Sequence, residues 1–137
     1  MTNPAMTDKE RWAARLATEI KLRKQSRVLE VAFDDGQHYE LPFEFLRVYS
    51  PSAEVRGHGP GQETLQIGKH AVEVVSVGPI GNYAVRLVFN DGHDTGLYTW
   101  AYLYELGETH AEKWQHYLER LQTLGIPYPT QVAHKKA

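Results

Sequence analysis

Hydrophobic and polar positions change rhythm several times along the chain, and each change marks an element. Trp12, Leu16 and Ile20 recur at four-residue intervals, the spacing of one helix face. Thr7 and Glu10 stand three apart just before them, as a capping box requires. A helix is therefore expected from Thr7 to about Ala17. From Glu19 the Glu-Ile-Lys-Leu-Arg run alternates, which predicts a first strand. Residues 28–33 carry Val28, Leu29, Val31 and Phe33 and read as a second strand. Asp34-Asp35-Gly36 signals a tight turn into a short returning strand at 39–41. Pro42 suits the first turn of a helix. Phe43, Phe45, Leu46 and Val48 supply that short helix with a buried side.

Residues 50–62 hold Pro51, Gly57, Gly59, Pro60 and Gly61 without apolar periodicity, and predict a loop. Strands are expected at 65–67, 72–77 and 83–89, with a connection at 78–82. Asn90-Asp91-Gly92-His93 is a second hairpin turn, after which the chain returns through 95–98. Thr99 can cap a helix to Leu106 that Gly107 ends. The alternation of Tyr98, Trp100, Tyr102 and Tyr104 leaves a longer strand as the alternative. The clearest helix spans about 108–124, with Trp114, Tyr117, Leu118, Leu121 and Leu124 on one face and Gly125 at its stop. After Pro127 a loose tail is expected, with Lys135 and Lys136 solvated. The fold class that follows is α+β, a mainly antiparallel sheet of short hairpins with flanking helices. Along the chain this gives an N-terminal extension at 1–17, a domain at 18–106, a C-terminal helix at 107–125 and a tail at 126–137.

A chain of 137 residues suits one domain, and its 42% hydrophobic content allows an ordinary core. The formal net charge of -2 gives no electrostatic case for a nucleic-acid partner. There is no cysteine. Disulfides, thiolate catalysis and Cys-ligated zinc or iron–sulfur clusters are thereby excluded. The polar first residues lack the apolar core of a signal peptide. No stretch approaches the roughly 20 apolar residues of a membrane helix. The expectation is a cytoplasmic protein with no membrane partner.

Several motifs invite chemistry and resolve into plainer readings. Gly57-x-Gly59-x-Gly61 lacks the Gly-Lys-Ser/Thr and the following helix of a phosphate cradle. His38-x-Glu40 has the spacing of an iron site but needs a distant second histidine. Asp34/Asp35 and Asp91/Asp94 sit in turns beside glycine, where carboxylates are usually solvated. No Gly-x-Ser-x-Gly elbow is present. The segment from Asp91 to Trp100 is different, because a hairpin explains Asp91-Gly92 but not His93, Asp94 and Gly96 after it. Imidazole beside carboxylate suits a ligand or partner site. The plainer reading has His93 capping the turn or bonding a backbone carbonyl.

Four stretches together resemble the gamma-butyrobetaine hydroxylase-like N-terminal domain family. They are Arg27 through Gly36, Leu41-Pro42 with Phe45-Leu46-Arg47, Gly81-Asn82-Tyr83-Ala84-Val85, and Asp91-Gly92-His93 leading to Trp100 and Leu103. The resemblance covers about residues 18–106. In carnitine-biosynthesis hydroxylases this domain looks like a small zinc module joined to an iron/2-oxoglutarate catalytic domain, and the resemblance takes in the module alone. It implies three cysteines after the Leu-Arg pair and a histidine after the second hairpin. Here those positions fall at Ser50, Ser52, Val55 and His93, so only the histidine survives and a Cys₃His zinc site is expected to be lost. The resemblance extends to a domain at the end of some P-loop iron–sulfur scaffold ATPases, which implies a link to iron–sulfur or metal-dependent enzyme pathways.

The functional expectation is a non-enzymatic binding or adaptor domain with a protein partner and no cofactor. Its partner or ligand patch would be Arg47, Tyr49, Asp91, His93, Asp94 and Trp100. The alternative is a metal-binding accessory domain in which His93 and nearby carboxylates hold iron or zinc.

Overall fold

The computed structural model describes residues 6–57 and 63–128. Helix α1 spans Asp8–Ala13, and both halves of the expected capping box form. The Thr7 hydroxyl accepts from the Glu10 N–H at 3.1 Å, and the Glu10 carboxylate accepts from the Thr7 N–H at 2.8 Å. The helix stops short of Ala17 because the next residues are claimed by the first sheet. Leu16 and Asp34 bond through the Asp34 N–H and through the Asp34 carboxylate, which holds the chain extended.

Strands β1 (Ala17–Arg23), β2 (Val28–Phe33) and β3 (His38–Pro42) form an antiparallel sheet in the order β1-β2-β3. Leu29, Val31 and Phe33 alternate inward from β2, as a period of two demands. Pro42 closes β3 and serves as N-cap, one position ahead of the first helical turn expected for it. Helix α2 (Phe43–Val48) then buries Phe43, Phe45, Leu46 and Val48 as predicted.

Within the expected loop lies a short helix, α3 (Ala53–Arg56), started by the Ser52 hydroxyl accepting from the Glu54 N–H. Residues 65–67 do not form a strand. The Gln66 carbonyl is taken by the Tyr117 hydroxyl at 2.6 Å instead.

The second sheet holds β4 (Val74–Ile80), β5 (Ala84–Phe89) and β6 (Leu97–Thr99) in that order. Gly78-Pro79-Ile80 belongs to β4 rather than to a connection, with Pro79 opposite Val85 and Ile80 opposite Ala84. Proline is tolerated there because β4 lies at the sheet's edge. Beyond the 89–93 turn the chain leaves the ladder before rejoining it at Leu97, later than expected.

Thr99 caps α4 (Trp100–Glu108) through the Tyr102 N–H at 3.1 Å. Gly107 does not end this helix. It lies inside the last turn, where any Cβ would run into the Tyr39 ring. Helix α5 (His110–Thr123) follows directly and buries Tyr117 and Leu121. Leu124, expected on the buried face, is 61% exposed, and Gly125 follows with φ 71.

The main core joins both sheets to α2 and α4 through Leu29, Val31, Phe45, Leu46, Leu87 and Leu103. Tyr98 is fully buried, and its hydroxyl donates to the Leu46 carbonyl at 2.6 Å. Helix α1 packs on α4, with the Trp12 indole and Arg11 both bonded to Glu108. Among the described residues no helix is long and apolar enough to cross a membrane. The expected tail beyond 128, and with it Lys135 and Lys136, lies outside the described residues.

Candidate functional site

The hairpin at Asp91-Gly92 and the chain after α2 meet, as the family resemblance implied. Arg47 leaves α2 almost buried and bonds Asp91 through Nε at 2.9 Å and Gln66 through Nη1 at 2.8 Å. Lys69 reaches the same Asp91 oxygen at 2.7 Å, while the other accepts the His93 N–H at 3.2 Å. Burial alone would raise this carboxyl. The hydrogen bonds from Lys69 and His93 and the Arg47 charge overcome it and hold Asp91 at about 2.

His93 is 6% exposed and Ser50 is 1% exposed. The Ser50 Oγ lies 2.8 Å from His93 Nε2 and accepts the Ser52 N–H at 3.2 Å. His93 Nδ1 faces Glu54 Oε1 at 3.3 Å. Burial, aided by the Arg47 charge, pushes the imidazole below its ordinary value against the pull of Glu54 and Asp91. A neutral ring with its Nδ1–H toward the Glu54 carboxylate leaves Nε2 to accept from the Ser50 hydroxyl. The Ser52 hydroxyl pairs with that of Thr95 at 2.9 Å. Gly96 completes the joint, since a Cβ there would stand 2.6 Å from Ser50 Oγ.

This cluster does not fit a metal. The hydroxyls at two of the zinc-ligand positions are bonded to His93 and Thr95, and Val55 offers no donor. Asp91 is committed to Arg47 and Lys69, and Asp94 turns away to Arg86 at 3.4 Å. Among the described residues no group of three His, Asp or Glu side chains could hold a metal ion. His38, of the His-x-Glu motif, faces Glu30 from an exposed position. Gly59 and Gly61 lie outside the described residues.

Serine, imidazole and carboxylate in series also have the connectivity of a nucleophilic triad. Their burial is inverted, however. The would-be nucleophile Ser50 is sealed, whereas the side chain of Glu54, the orienting acid, is 68% exposed. The arrangement is a packed polar joint with its donors matched.

Trp100 does not join it. Its indole N–H donates to the Asn82 carbonyl at 2.8 Å, at the turn between β4 and β5. That turn and Asp91 flank opposite ends of β5, whose length is roughly 20 Å.

Tyr49 belongs to a different feature, a cleft of about 600 Å³ between the chain around α3 and helices α4 and α5. Tyr49, Tyr102 and Tyr117 line it. Each phenol is fixed by donating to a backbone carbonyl, Tyr49 to Lys113 at 2.7 Å, Tyr102 to Tyr49 at 2.6 Å and Tyr117 to Gln66 at 2.6 Å. Burial pushes Tyr102 and Tyr117 up to about 12, so both stay neutral donors near pH 7. The Arg56 guanidinium lies 4.9 Å from the Tyr102 ring centroid, and Lys113 Nζ lies 5.5 Å from that of Tyr49. The sequence reading named Tyr49 but missed the cleft. Its one local signal is Lys113, Tyr117 and Arg120 at helical spacing beside the buried stripe of α5.

A model of the gamma-butyrobetaine hydroxylase-like N-terminal family matches residues 20–104. The chain belongs to that family. Similar solved structures include a crystal structure of a protein of unknown function from Acidithiobacillus ferrooxidans, assigned to the DUF971 family. It is 43% identical over 67% of this chain and 92% of its own, with a TM-score of 0.57. Two proteins solved by NMR in solution are also similar. One is 46% identical over 93% of this chain and 89% of its own, at a TM-score of 0.72. The other is 48% identical over 82% and 88%, at 0.71. Among curated proteins nothing matches the chain. The family match stops at Tyr104, so the whole of α5, one wall of the cleft, lies outside the matched region.

Proposed function

We propose that the chain is a non-enzymatic binding domain that recognises a protein partner through the cleft beside α5. One observation carries this reading: a cavity of about 600 Å³ whose aromatic lining is already locked by three phenol–carbonyl hydrogen bonds. Cavities of roughly 300–1,000 Å³ with an apolar lining and a few placed polar groups are the usual form of a binding site. A lining fixed before binding loses little side-chain freedom when a ligand enters. The His93 cluster supports the reading from the other side, because its polar groups are spent on one another and hold one cleft wall in place. Ser50 belongs both to that cluster and to the cleft lining. The family resemblance directs the search for partners toward iron–sulfur and metal-dependent enzymes.

A fragment screen read by amide shifts of the isotopically labelled chain tests the proposal. Benzoate, phenol and benzylamine form the probe set. Shifts gathered on Tyr49, Arg56, Tyr102 and Arg120 are expected. A response centred on His93 and Asp91, with the cleft silent, would refute it.

A further inference from the structure

Resting on the binding-domain reading above, we infer that the cleft takes an acidic segment of a partner protein. Arg56, Lys113 and Arg120 line it, against Glu63 and Glu105. Lys113 and Glu105 pair with each other at 3.3 Å. Among the described residues Arg56 and Arg120 enter no ion pair. The chain as a whole carries a charge of -2, so two guanidinium groups in one cleft with no ion pair among the described residues are not its background. Arg56 lies over the Tyr102 ring, and a stacked guanidinium keeps N–H donors at its edge in the fork that suits a carboxylate.

Spacing separates a peptide from a single small acid. Lys113 and Arg120 sit on α5 roughly 10 Å apart along the axis, at 1.5 Å per residue. Arg56 adds a cation from α3 on a separate segment of the wall. One carboxylate cannot meet all of these, whereas an extended chain presents a same-side group every 7 Å or so.

The test titrates the full, isotopically labelled chain with three blocked heptapeptides: one alternating glutamate with leucine, its glutamine analogue and its lysine analogue. The glutamate peptide is expected to shift the amides of Arg56, Tyr102, Lys113 and Arg120. It should bind about tenfold more tightly than the glutamine analogue, as two exposed charge pairs would give, and weaken with added salt. The Arg56→Glu/Arg120→Glu chain should lose this preference while its spectrum stays dispersed. Equal or tighter cleft binding by the glutamine or lysine peptide overturns the acidic assignment and leaves the binding reading standing. If no peptide moves the cleft signals but the aromatic fragments do, the partner-segment inference falls and the cleft remains a small-molecule site. Silence from both sets sinks both.

Discussion

Replacing Asp91 with asparagine tests the joint between the hairpin and α2. The folded chain holds this carboxyl at about 2 against an ordinary 3.8. A depressed folded-state value means that the stabilisation is whole above pH 3.8 and is lost as the pH falls through 2. The gap is just under two pH steps, at about 1.36 kcal/mol each, so the ionised carboxylate contributes about 2 kcal/mol at neutral pH. The side chain is 23% exposed, which limits solvent screening of that figure. Asp91→Asn should therefore lower the unfolding free energy by about 2 kcal/mol at pH 7. The difference from the parent should shrink below pH 4 and fall to roughly 0.4 kcal/mol near pH 2, where the parent carboxyl is half protonated. Urea unfolding followed by tryptophan fluorescence at a series of pH values measures this. A deficit that stayed constant from pH 7 to pH 3 would show that shape rather than charge was lost, and would refute the reasoning.

Gly107→Ala should destabilise despite lying in a helix. The gain in helix propensity is about 1 kcal/mol, but overpacking costs about 1–3 kcal/mol, and the Tyr39 ring that must yield is flanked by Phe33 and Tyr104. Thermal melts should place the variant below the parent, and a higher melting temperature would disprove the packing argument. Ser50→Cys/Ser52→Cys/Val55→Cys should restore the ligand set that the family resemblance implies at His93. The purified chain is then expected to hold about one zinc per molecule by elemental analysis, and His93→Ala in that background should weaken it. Zinc retention unaffected by His93→Ala would show that the four positions do not act together.

Much of this architecture is written locally. The period of two in β2, the Asp-Gly turns and the threonine caps at Thr7 and Thr99 act over a few residues, so sequence spacing reveals them. The meeting of Arg47, Ser50 and His93 was implied only by the family resemblance, because no local spacing joins residues more than 40 positions apart. Pro79 misled because whether a proline can sit in a strand depends on whether that strand is an edge, which is a property of the sheet. Gly107 misled for a related reason: it answers to Tyr39, a ring on another element. The cleft was invisible because its residues come from α3, α4, α5 and the chain before β4, and no single spacing joins them. Leu124 matched the helical stripe, but the helix ends at Thr123 and the position opens to solvent.

The tyrosine hydroxyls have a consequence for how the molecule comes apart. Tyr98 bonds Leu46, Tyr102 bonds Tyr49 and Tyr104 bonds Asp35, each across more than 50 positions of chain. All three run from the second half of the sequence to the first. They tie β6 and α4 to α2 and to the turn after β2, so neither half can open alone without breaking bonds held by the other, and the two halves are expected to lose their order in one cooperative step.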